Sequence, residues 1–253
     1  MTDKNRPIVF GALQPHALGA LARQGMRAYF ESPTAYAALL VFYLSTGYLF
    51  AAPLFLAGQA SIKGLIDFGS LLLAFIIPAL TMGLLAEEMK TGTFESLATL
   101  PLGDWDIVIG KYLGFAGTHA AAVAGLLVYP LVLSFIAQPP AGLDWGETAG
   151  VLTAFLALGL MFGAIGLFAS SLGKNQIVAF TASFFICFML FAAGKLAAFA
   201  PGALTGLADF IGIDSHIDNL AKGVFDSRDF LYFASVSYSF LYMTVARLET
   251  RRL

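Results

Sequence analysis

Charged side chains are scarce in this chain. Asp, Glu, Lys and Arg make up 12% of its 253 residues, against 58% hydrophobic residues, and the mean hydropathy is +0.80. A soluble domain carries about a quarter charged residues. The composition therefore excludes an ordinary soluble protein, and the absence of a basic patch argues against binding to nucleic acid.

Cysteine and the common catalytic motifs are also missing. The single cysteine, Cys187, can form neither an intrachain disulfide nor a cysteine-ligated metal cluster. No glycine loop is followed directly by Lys and Ser or Thr, and no Gly-x-Ser-x-Gly or His-Glu-x-x-His sequence occurs. We therefore expect no catalytic residue, metal site or bound cofactor in this chain. Any energy for work must come from a partner subunit or a gradient.

Six long uncharged runs dominate what is present. A helix that crosses a membrane needs about 20 largely apolar residues, whereas barrel strands would alternate apolar and polar residues. The runs are apolar on every face, and they predict an all-α polytopic membrane protein with six transmembrane helices in residues 34–253. The runs are residues 34–62, 68–86, 112–143, 148–173, 175–194 and 230–246.

The distribution of Lys and Arg predicts the orientation. With six spans, both termini and the segments around residues 87–106 and 172–175 lie on one side, which carries ten of the 14 cations. Positive residues concentrate in cytoplasmic loops, so both termini are expected in the cytoplasm. The polar N-terminus and the late first apolar run do not fit a cleaved signal peptide, and the first span is expected to be retained.

Residues 1–33 form the predicted cytoplasmic N-terminus. Apolar residues recur at helical spacing from Leu18 to Phe30, and Arg23 and Arg27 occupy the other face. This pattern is typical of an amphipathic helix that lies in the membrane interface. The helix is either a simple anchor or a lever that touches a cytoplasmic partner.

Charge density rises abruptly in the segment 87–104, between the second and third spans. Thr93 is a candidate N-cap of a short helix with Glu95 in its first turn. Phe94 and Leu97 then share one face, which a solvated connection would not need. We interpret the segment as a tight helical hairpin that presents an apolar docking surface, with a solvated connection as the alternative.

Small residues and one histidine stand out inside the spans. Gly110 with Gly114, and Gly159 with Gly163, are pairs that let helix backbones approach closely. They predict helix packing, within a bundle or in a dimer. His119 is interpreted as bonded to a neighbouring helix, with a proton relay or ligand site as the less favoured alternative.

The outer segment 200–228 contains acidic residues and a histidine that could suggest a metal site. Its apolar residues recur at helical spacing, however, and predict an amphipathic outer helix whose polar face would carry the others. We therefore expect no metal there. The polar set is Asp209, Asp214, His216 and Asp218, and the apolar set is Ile213, Ile217, Leu220 and Val224.

Characteristic blocks of sequence run in order through nearly the whole chain. Together they resemble the ABC-2 type transporter permeases, and most closely the subgroup that includes the gliding-motility permease. The blocks are Tyr29-Phe30-Glu31-Ser32-Pro33, Ile77-Pro78-Ala79-Leu80, Glu87-Glu88-Met89-Lys90-Thr91-Gly92-Thr93-Phe94-Glu95, Asp104-Trp105-Asp106 with Gly110-Lys111, Gly166-Leu167-Phe168-Ala169-Ser170-Ser171, Lys174-Asn175-Gln176, Ser215-His216 and Gly223-Val224-Phe225-Asp226-Ser227-Arg228-Asp229.

The resemblance implies a six-helix permease subunit in a bacterial inner membrane. Its implied partners are a second permease, identical or related, and two cytoplasmic subunits that bind ATP and magnesium. In that family the segment between spans two and three is a coupling helix that docks into the ATPase. Carried over to this chain, the coupling set is Glu87, Glu88, Lys90, Gly92, Thr93 and Glu95, beside the apolar Phe94 and Leu97, and the outer signature is His216, Asp226, Arg228 and Asp229.

The expected function is therefore that of a permease, which couples ATP hydrolysis in a partner to export or translocation across the membrane. Fixed charge is nearly absent from the spans, so an amphipathic or largely apolar substrate is expected. The alternative is a non-transporting scaffold or mechanotransducer, whose partner ATPase drives the assembly of envelope proteins.

Overall fold

The computed structural model describes residues 15–57, 62, 64–94, 102–136, 144–197 and 212–252. This part of the chain contains ten helices and no strand, which confirms the all-α prediction. In chain order the helices are α1 (Pro15–Glu31), α2 (Pro33–Ala57), α3 (Gly64–Thr81), α4 (Ala86–Thr91), α5 (Asp104–Gly125), α6 (Val128–Ile136), α7 (Trp145–Ser171), α8 (Gln176–Ala197), α9 (Asp214–Ala221) and α10 (Ser227–Arg252).

Five helical segments in the described residues are long and apolar enough to cross a membrane. They begin with α2, α3, α5, α7 and α8, and they confirm a polytopic membrane protein. Two thirds of the apolar window of α7 is buried inside the bundle, against 17% for α2 and for α8. Helix α7 is therefore the central helix, and α2 and α8 lie at the periphery.

The predicted sixth span corresponds to α10, which is long enough but less apolar than the other five. Its 26 residues extend for about 39 Å at 1.5 Å per residue. Its serines and threonine lower the hydropathy, yet Ser237, Ser239 and Thr244 donate hydrogen bonds to carbonyls four residues earlier in the same helix. Hydroxyls satisfied in this way cost less to bury in hydrocarbon. That α10 spans the membrane stays a prediction.

Helices α7 and α10 run side by side in the same direction. Near the start of α7, Gly150 lies against the carbonyl of Leu220, shortly before α10 begins. Further along, the rings of Phe168 and Phe240 are 5.6 Å apart. At the far end Leu167 shares a buried cluster with Val245. Helix α10 therefore lies alongside α7 over most of the length of α7.

Two buried clusters hold the bundle together. The larger is built around the aromatic side chains of Phe115, Phe155 and Phe162, which join α5 and α7 to the spans on either side. The smaller lies where α4, α5, α7 and α10 meet. It consists of Leu85, Met89, Val108, Leu167, Val245 and Leu248. The short helix α4 is therefore packed into the end of the bundle.

Two predicted spans are broken in the structure. The second was expected to continue to Ala86, but α3 ends at Thr81 and a turn at residues 82–85 precedes α4. The third contains a turn at Leu126 and Leu127, where α5 gives way to α6. Pro130 lies in the first turn of α6, where its missing N–H costs little.

The amphipathic outer helix is found as α9. Ile213, Ile217 and Leu220 are buried as the helical spacing predicts, whereas Val224 lies beyond the helix and is 55% exposed. Helix α9 ends before Gly223, whose φ of +74° favours glycine, so Val224 no longer follows the helical period. Much of the outer segment, including Asp209, lies outside the described residues.

Candidate functional site

A serine from the central helix holds the turn between α3 and α4. The hydroxyl of Ser170 accepts hydrogen bonds from the backbone N–H groups of Leu85 and Ala86, each at 2.9 Å, and donates one to the carbonyl of Met82 at 2.9 Å. Leu85 is the N-cap residue of α4 and its side chain offers no cap. Ser170 therefore supplies the N-terminal cap that the local sequence lacks.

An ion pair joins α4 to α5. The ammonium Nζ of Lys111 lies 2.6 Å from Oε1 of Glu88, and the side chains are 14% and 32% exposed. Glu87 and Glu88 also occupy the first turn of α4, where a negative charge is favourable to the helix dipole. The short helix is thus attached to α7 by Ser170 and to α5 by Lys111.

The remaining predicted coupling residues divide into an outward and an inward set. Lys90, Gly92 and Thr93 are exposed, and Gly92 ends α4 with φ +78°, a left-handed cap. Phe94 is half-buried and packs against the smaller cluster beside Met89, so it points into the bundle. Glu95 and Leu97 lie outside the described residues.

Thr93 is predicted to cap a helix whose first turn contains Glu95, and since that turn lies outside the described residues the capping role stays a prediction. Its hydroxyl donates to the carbonyl of Glu88 at 3.4 Å and bonds the hydroxyl of Thr91 at 2.9 Å, so it contributes to the end of α4. The sequence analysis missed α4 because it treated residues up to Ala86 as one span. Acidic residues in a first turn and a glycine just past the last turn were the available signals.

Helix α1 packs on the glycines of α5. A Cβ on Gly114 would lie 3.0 Å from the Cα of Gly25, and one on Gly110 would lie 2.6 Å from the Cβ of Leu21. The backbones therefore cross at Gly25 and Gly114, as small residues allow. The predicted interfacial helix therefore lies against the bundle. The pair Gly110 and Gly114 packs against α1 of the same chain.

The second glycine pair accommodates aromatic rings from α5. The ring of His119 lies over Gly159, and that of Phe115 lies over Gly163. His119 is buried, and its Nε2 lies 3.1 Å from the carbonyl of Phe155, so an Nε2–H donates to that oxygen. The structure thus brings His119 to a neighbouring helix.

A cleft of about 700 Å³ opens beside α4. Its floor includes Tyr29, whose hydroxyl donates to the carbonyl of Leu80 at 3.1 Å and so ties α1 to the end of α3. Burial raises the pKa of the Tyr29 phenol, which remains a neutral donor. Glu31, Glu87 and Lys111 line the cleft with residues of α1, α2, α3, α5 and α8.

Two of the outer signature residues, His216 and Asp229, meet at the opposite end of the bundle. The ring nitrogen Nδ1 of His216 lies 2.6 Å from Oδ1 of the buried Asp229, and Asn219 donates to Oδ2 at 3.3 Å. The His216 ring stacks on Tyr232 with centroids 4.1 Å apart. The described residues contain no group of three or more metal-ligating side chains. These contacts fasten α9 to α10.

Asp226 and Arg228 lie at the start of α10. The carboxylate of Asp226 accepts from the backbone N–H of Arg228 at 2.9 Å, an N-terminal cap. Arg228 is exposed. On the neighbouring helix, Lys195 pairs with Asp214 at 3.0 Å, which links the end of α8 to α9.

A comparison with known protein families identifies the family of this chain. The family described as ABC-2 family transporter protein matches residues 20–246. The chain belongs to the ABC-2 transporter family. No curated protein matches it in a sequence comparison. As an ABC-2 transporter protein the chain is a membrane permease component, and the gliding-motility subgroup stays a prediction. The match begins within α1 and ends within α10, so it includes α4 and the outer signature residues.

Proposed function

We propose that this ABC-2 permease couples ATP hydrolysis in a separate cytoplasmic subunit to the movement of a molecule across a bacterial inner membrane. The observation that carries the proposal is the double attachment of α4. Ser170 joins α4 to α7, and Lys111 joins it to α5. A force applied to this short helix therefore reaches two spans directly.

The turn that precedes α4 indicates which spans would move together with this short helix. Residues 82–85 separate α4 from α3, so the short helix is not a rigid continuation of that span. Helix α4 is also attached to α5 and α7, through an ion pair, a shared cap and the smaller buried cluster. We infer that α4 moves together with α5 and α7 and tilts relative to α3.

The docking surface is assigned to the outward side of α4 and the residues after it. Lys90, Thr91 and Thr93 are exposed there, and among the described residues the hydrogen bonds of Thr91 and Thr93 stay within α4 and the residues that follow it. Glu88 and Met89 instead face the bundle. The partner ATPase would therefore contact the first set directly, and the second would transmit the motion.

The docking surface on α4 determines how the permease would assemble with its partner subunits. A cytoplasmic partner requires the α4 end of the bundle to face the cytoplasm, in agreement with the excess of Lys and Arg predicted there. The ATP and magnesium belong to the partner subunits, and a second permease, identical or related, completes the pathway.

The test is purification of the chain from its native membrane in mild detergent, followed by mass spectrometry and an ATPase assay in lipid discs. We expect an ATP-binding subunit to accompany the chain. Replacement of Lys90 and Thr93 by alanine should lower stimulated hydrolysis without unfolding the bundle, since both are exposed. Matched replacement of the exposed Lys222, at the other end of the bundle, should leave hydrolysis unchanged.

The same experiment addresses the scaffold alternative. Hydrolysis with an accompanying ATPase but with no transported molecule in sealed vesicles would favour a scaffold or mechanotransducer. Recovery of the chain without any ATP-binding subunit would contradict the coupling proposal.

A further inference from the structure

The end of α5 leaves one backbone carbonyl without its helical partner. In a continuous helix the carbonyl of Ala122 would accept a hydrogen bond from the N–H of Leu126. In the structure that N–H donates to the carbonyl of Val123 instead, at 2.9 Å. The hydroxyl of Tyr43, on α2, donates to the Ala122 carbonyl at 2.8 Å and replaces the missing donor. A side chain of α2 therefore stabilises the break between α5 and α6.

Pro130 keeps this break from closing into one regular helix. Proline has no N–H, and in a regular helix its ring would clash with the carbonyl four residues earlier, which is that of Leu126. That carbonyl accepts instead from the N–H of Tyr129 at 3.0 Å. Helix α6 can therefore change its angle to α5 at residues 126–127, but it cannot merge with α5.

Helix α6 is held on α2 through one tyrosine. The ring of Tyr129 stacks on that of Phe50, with centroids 4.7 Å apart, and its hydroxyl lies 2.9 Å from that of Thr46. Because the Thr46 hydroxyl donates to the carbonyl of Phe42 at 2.8 Å, Tyr129 is the donor to Thr46. The three hydroxyl residues Tyr43, Thr46 and Tyr129 form a latch between α2 and the broken span.

Apart from the latch, only a narrow face of α6 is buried. Pro130 and Leu133 lie on that face, and Leu133 belongs to the larger buried cluster. On the other side, Leu131 and Phe135 are 53% and 89% exposed. A short segment with few buried apolar residues opens at a lower free-energy cost than the core. Loss of the latch should therefore release α6 while the rest of the bundle stays folded.

Helix α6 lies at the end of the bundle opposite α4. Helices α5 and α7 are antiparallel, because the ring of Phe115 lies over Gly163 and that of His119 lies over Gly159. The end of α5 therefore approaches the start of α7, where Gly150 lies against the carbonyl at the end of α9. A movable helix at this level would control access to that end of the bundle.

We propose that α6 is a gate at the end of the bundle opposite α4. It pivots at residues 126–127, and opening of the latch lets it swing away from α2. The proposal rests on the proposed function in one respect, since the opening is assigned to the passage of the transported molecule. In the closed arrangement Leu133 is buried, and in the open arrangement it is accessible.

The test measures accessibility in the purified full-length chain in a maltoside detergent, without ATP. The reporter is Leu133→Cys in a Cys187→Ala background, labelled with N-ethylmaleimide. Tyr43→Phe keeps the ring but removes the donor to the Ala122 carbonyl, so labelling should become about tenfold faster or more. Tyr48→Phe is the matched control, since it makes the same change at a tyrosine of α2 that is 73% exposed, and it should leave the rate unchanged.

The native cysteine separates local opening from general loosening. Cys187 is fully buried on α8, and in a chain that retains Leu133 it reports on the rest of the bundle. Tyr43→Phe should leave Cys187 unreactive. If both cysteines become reactive to the same extent, or if the cysteine at position 133 does not become more reactive, the hinge is overturned.

Two further variants open the latch by other routes. Thr46→Val keeps the shape but removes the acceptor of Tyr129, and should speed labelling about threefold or more. A Cβ on Gly125 would overlap the Tyr43 hydroxyl, so Gly125→Ala should also speed labelling although alanine is the better helix former. If Tyr43→Phe folds poorly, these two variants decide the matter, and unchanged labelling in both would overturn the hinge.

The recovered complex tests the role as a gate. With the ATPase bound, ATP should change the labelling rate of the cysteine at position 133 by at least about threefold relative to ADP. A helix that opens in the latch variants but does not respond to nucleotide would overturn its role as a gate. Because the variants are measured without nucleotide or partner, failure of the hinge is distinct from a failure to recover the ATPase.

Discussion

The hydroxyl of Ser170 donates a hydrogen bond to the carbonyl of Met82, and so joins the last turns of α7 to the turn before α4. The two residues are 88 positions apart in the chain. The same oxygen accepts from two backbone N–H groups, so its one donor and two acceptor positions are all used. A single side chain therefore fixes where α4 begins.

Ser170→Ala should loosen α4. It leaves two buried N–H groups and one carbonyl without their partner, at a cost of about 1–3 kcal/mol. We expect a lower thermal unfolding temperature in detergent and faster hydrogen exchange in α4. The matched control is Ser171→Ala, because that buried hydroxyl donates to the carbonyl of Phe168 in its own helix. Equal effects of the two changes would contradict the capping role.

The ion pair between Glu88 and Lys111 should show energetic coupling in a double-mutant cycle. The pair is neither fully buried nor at the surface, so the single changes Glu88→Gln and Lys111→Met should each cost about 1–3 kcal/mol, between the values for exposed and buried pairs. The double change should cost less than the sum. Lys90→Met, on the exposed face of α4, is the control and should have little effect. Strict additivity would show that the pair does not stabilise α4.

The crossing of α1 over α5 is sensitive to the size of one residue. A Cβ on Gly114 would meet the backbone of Gly25 at 3.0 Å, so Gly114→Ala should force the helices apart at a cost of about 1–3 kcal/mol. Limited proteolysis within α1 should become faster. Gly19→Ala is the control, since nothing lies within 4 Å of its Cβ position, and the better helix propensity of alanine should make α1 slightly more stable.

The contact between His216 and Asp229 should hold α9 in place. Asp229→Ala removes the acceptor of both His216 and Asn219, and we expect exchange of the α9 amides to rise by about tenfold or more, as loss of about 1.4 kcal/mol would produce. Asp218→Ala, an exposed aspartate on α9 itself, should leave exchange unchanged. If the α9 amides stay protected from exchange in the Asp229 variant, the packing of α9 against Gly150 is enough to hold α9 in place.

The all-helical fold and the approximate spans could be predicted from hydropathy, because a chain in lipid must satisfy its backbone polar groups within each helix. The site could be predicted only in part. Glu87, Glu88 and Gly92 carry local charge and capping signals, whereas the role of Ser170 depends on a partner far away in the sequence. A local sequence pattern cannot predict a hydrogen bond between residues that are 88 positions apart.

Helix α1 illustrates a second limit. Its apolar stripe predicts burial against something apolar, and lipid and a protein surface satisfy that requirement equally well. The glycines of α5 supply the protein surface, since they open a groove that admits the backbone of Gly25. The periodicity of one helix could not reveal its partner, although Gly110 and Gly114 marked where close packing was to be expected.

Helix α10 provides the sharpest test of the topology. If it crosses the membrane beside α7, its two ends lie on opposite sides. Single cysteines at Ser227 and Thr250, both exposed, can be introduced into a Cys187→Ala background, since the native cysteine is buried. In intact cells a membrane-impermeant maleimide should label Ser227→Cys, and Thr250→Cys should react only after permeabilisation. Labelling of both positions in intact cells would place both ends of α10 outside, and would leave a five-span chain whose termini are on opposite sides.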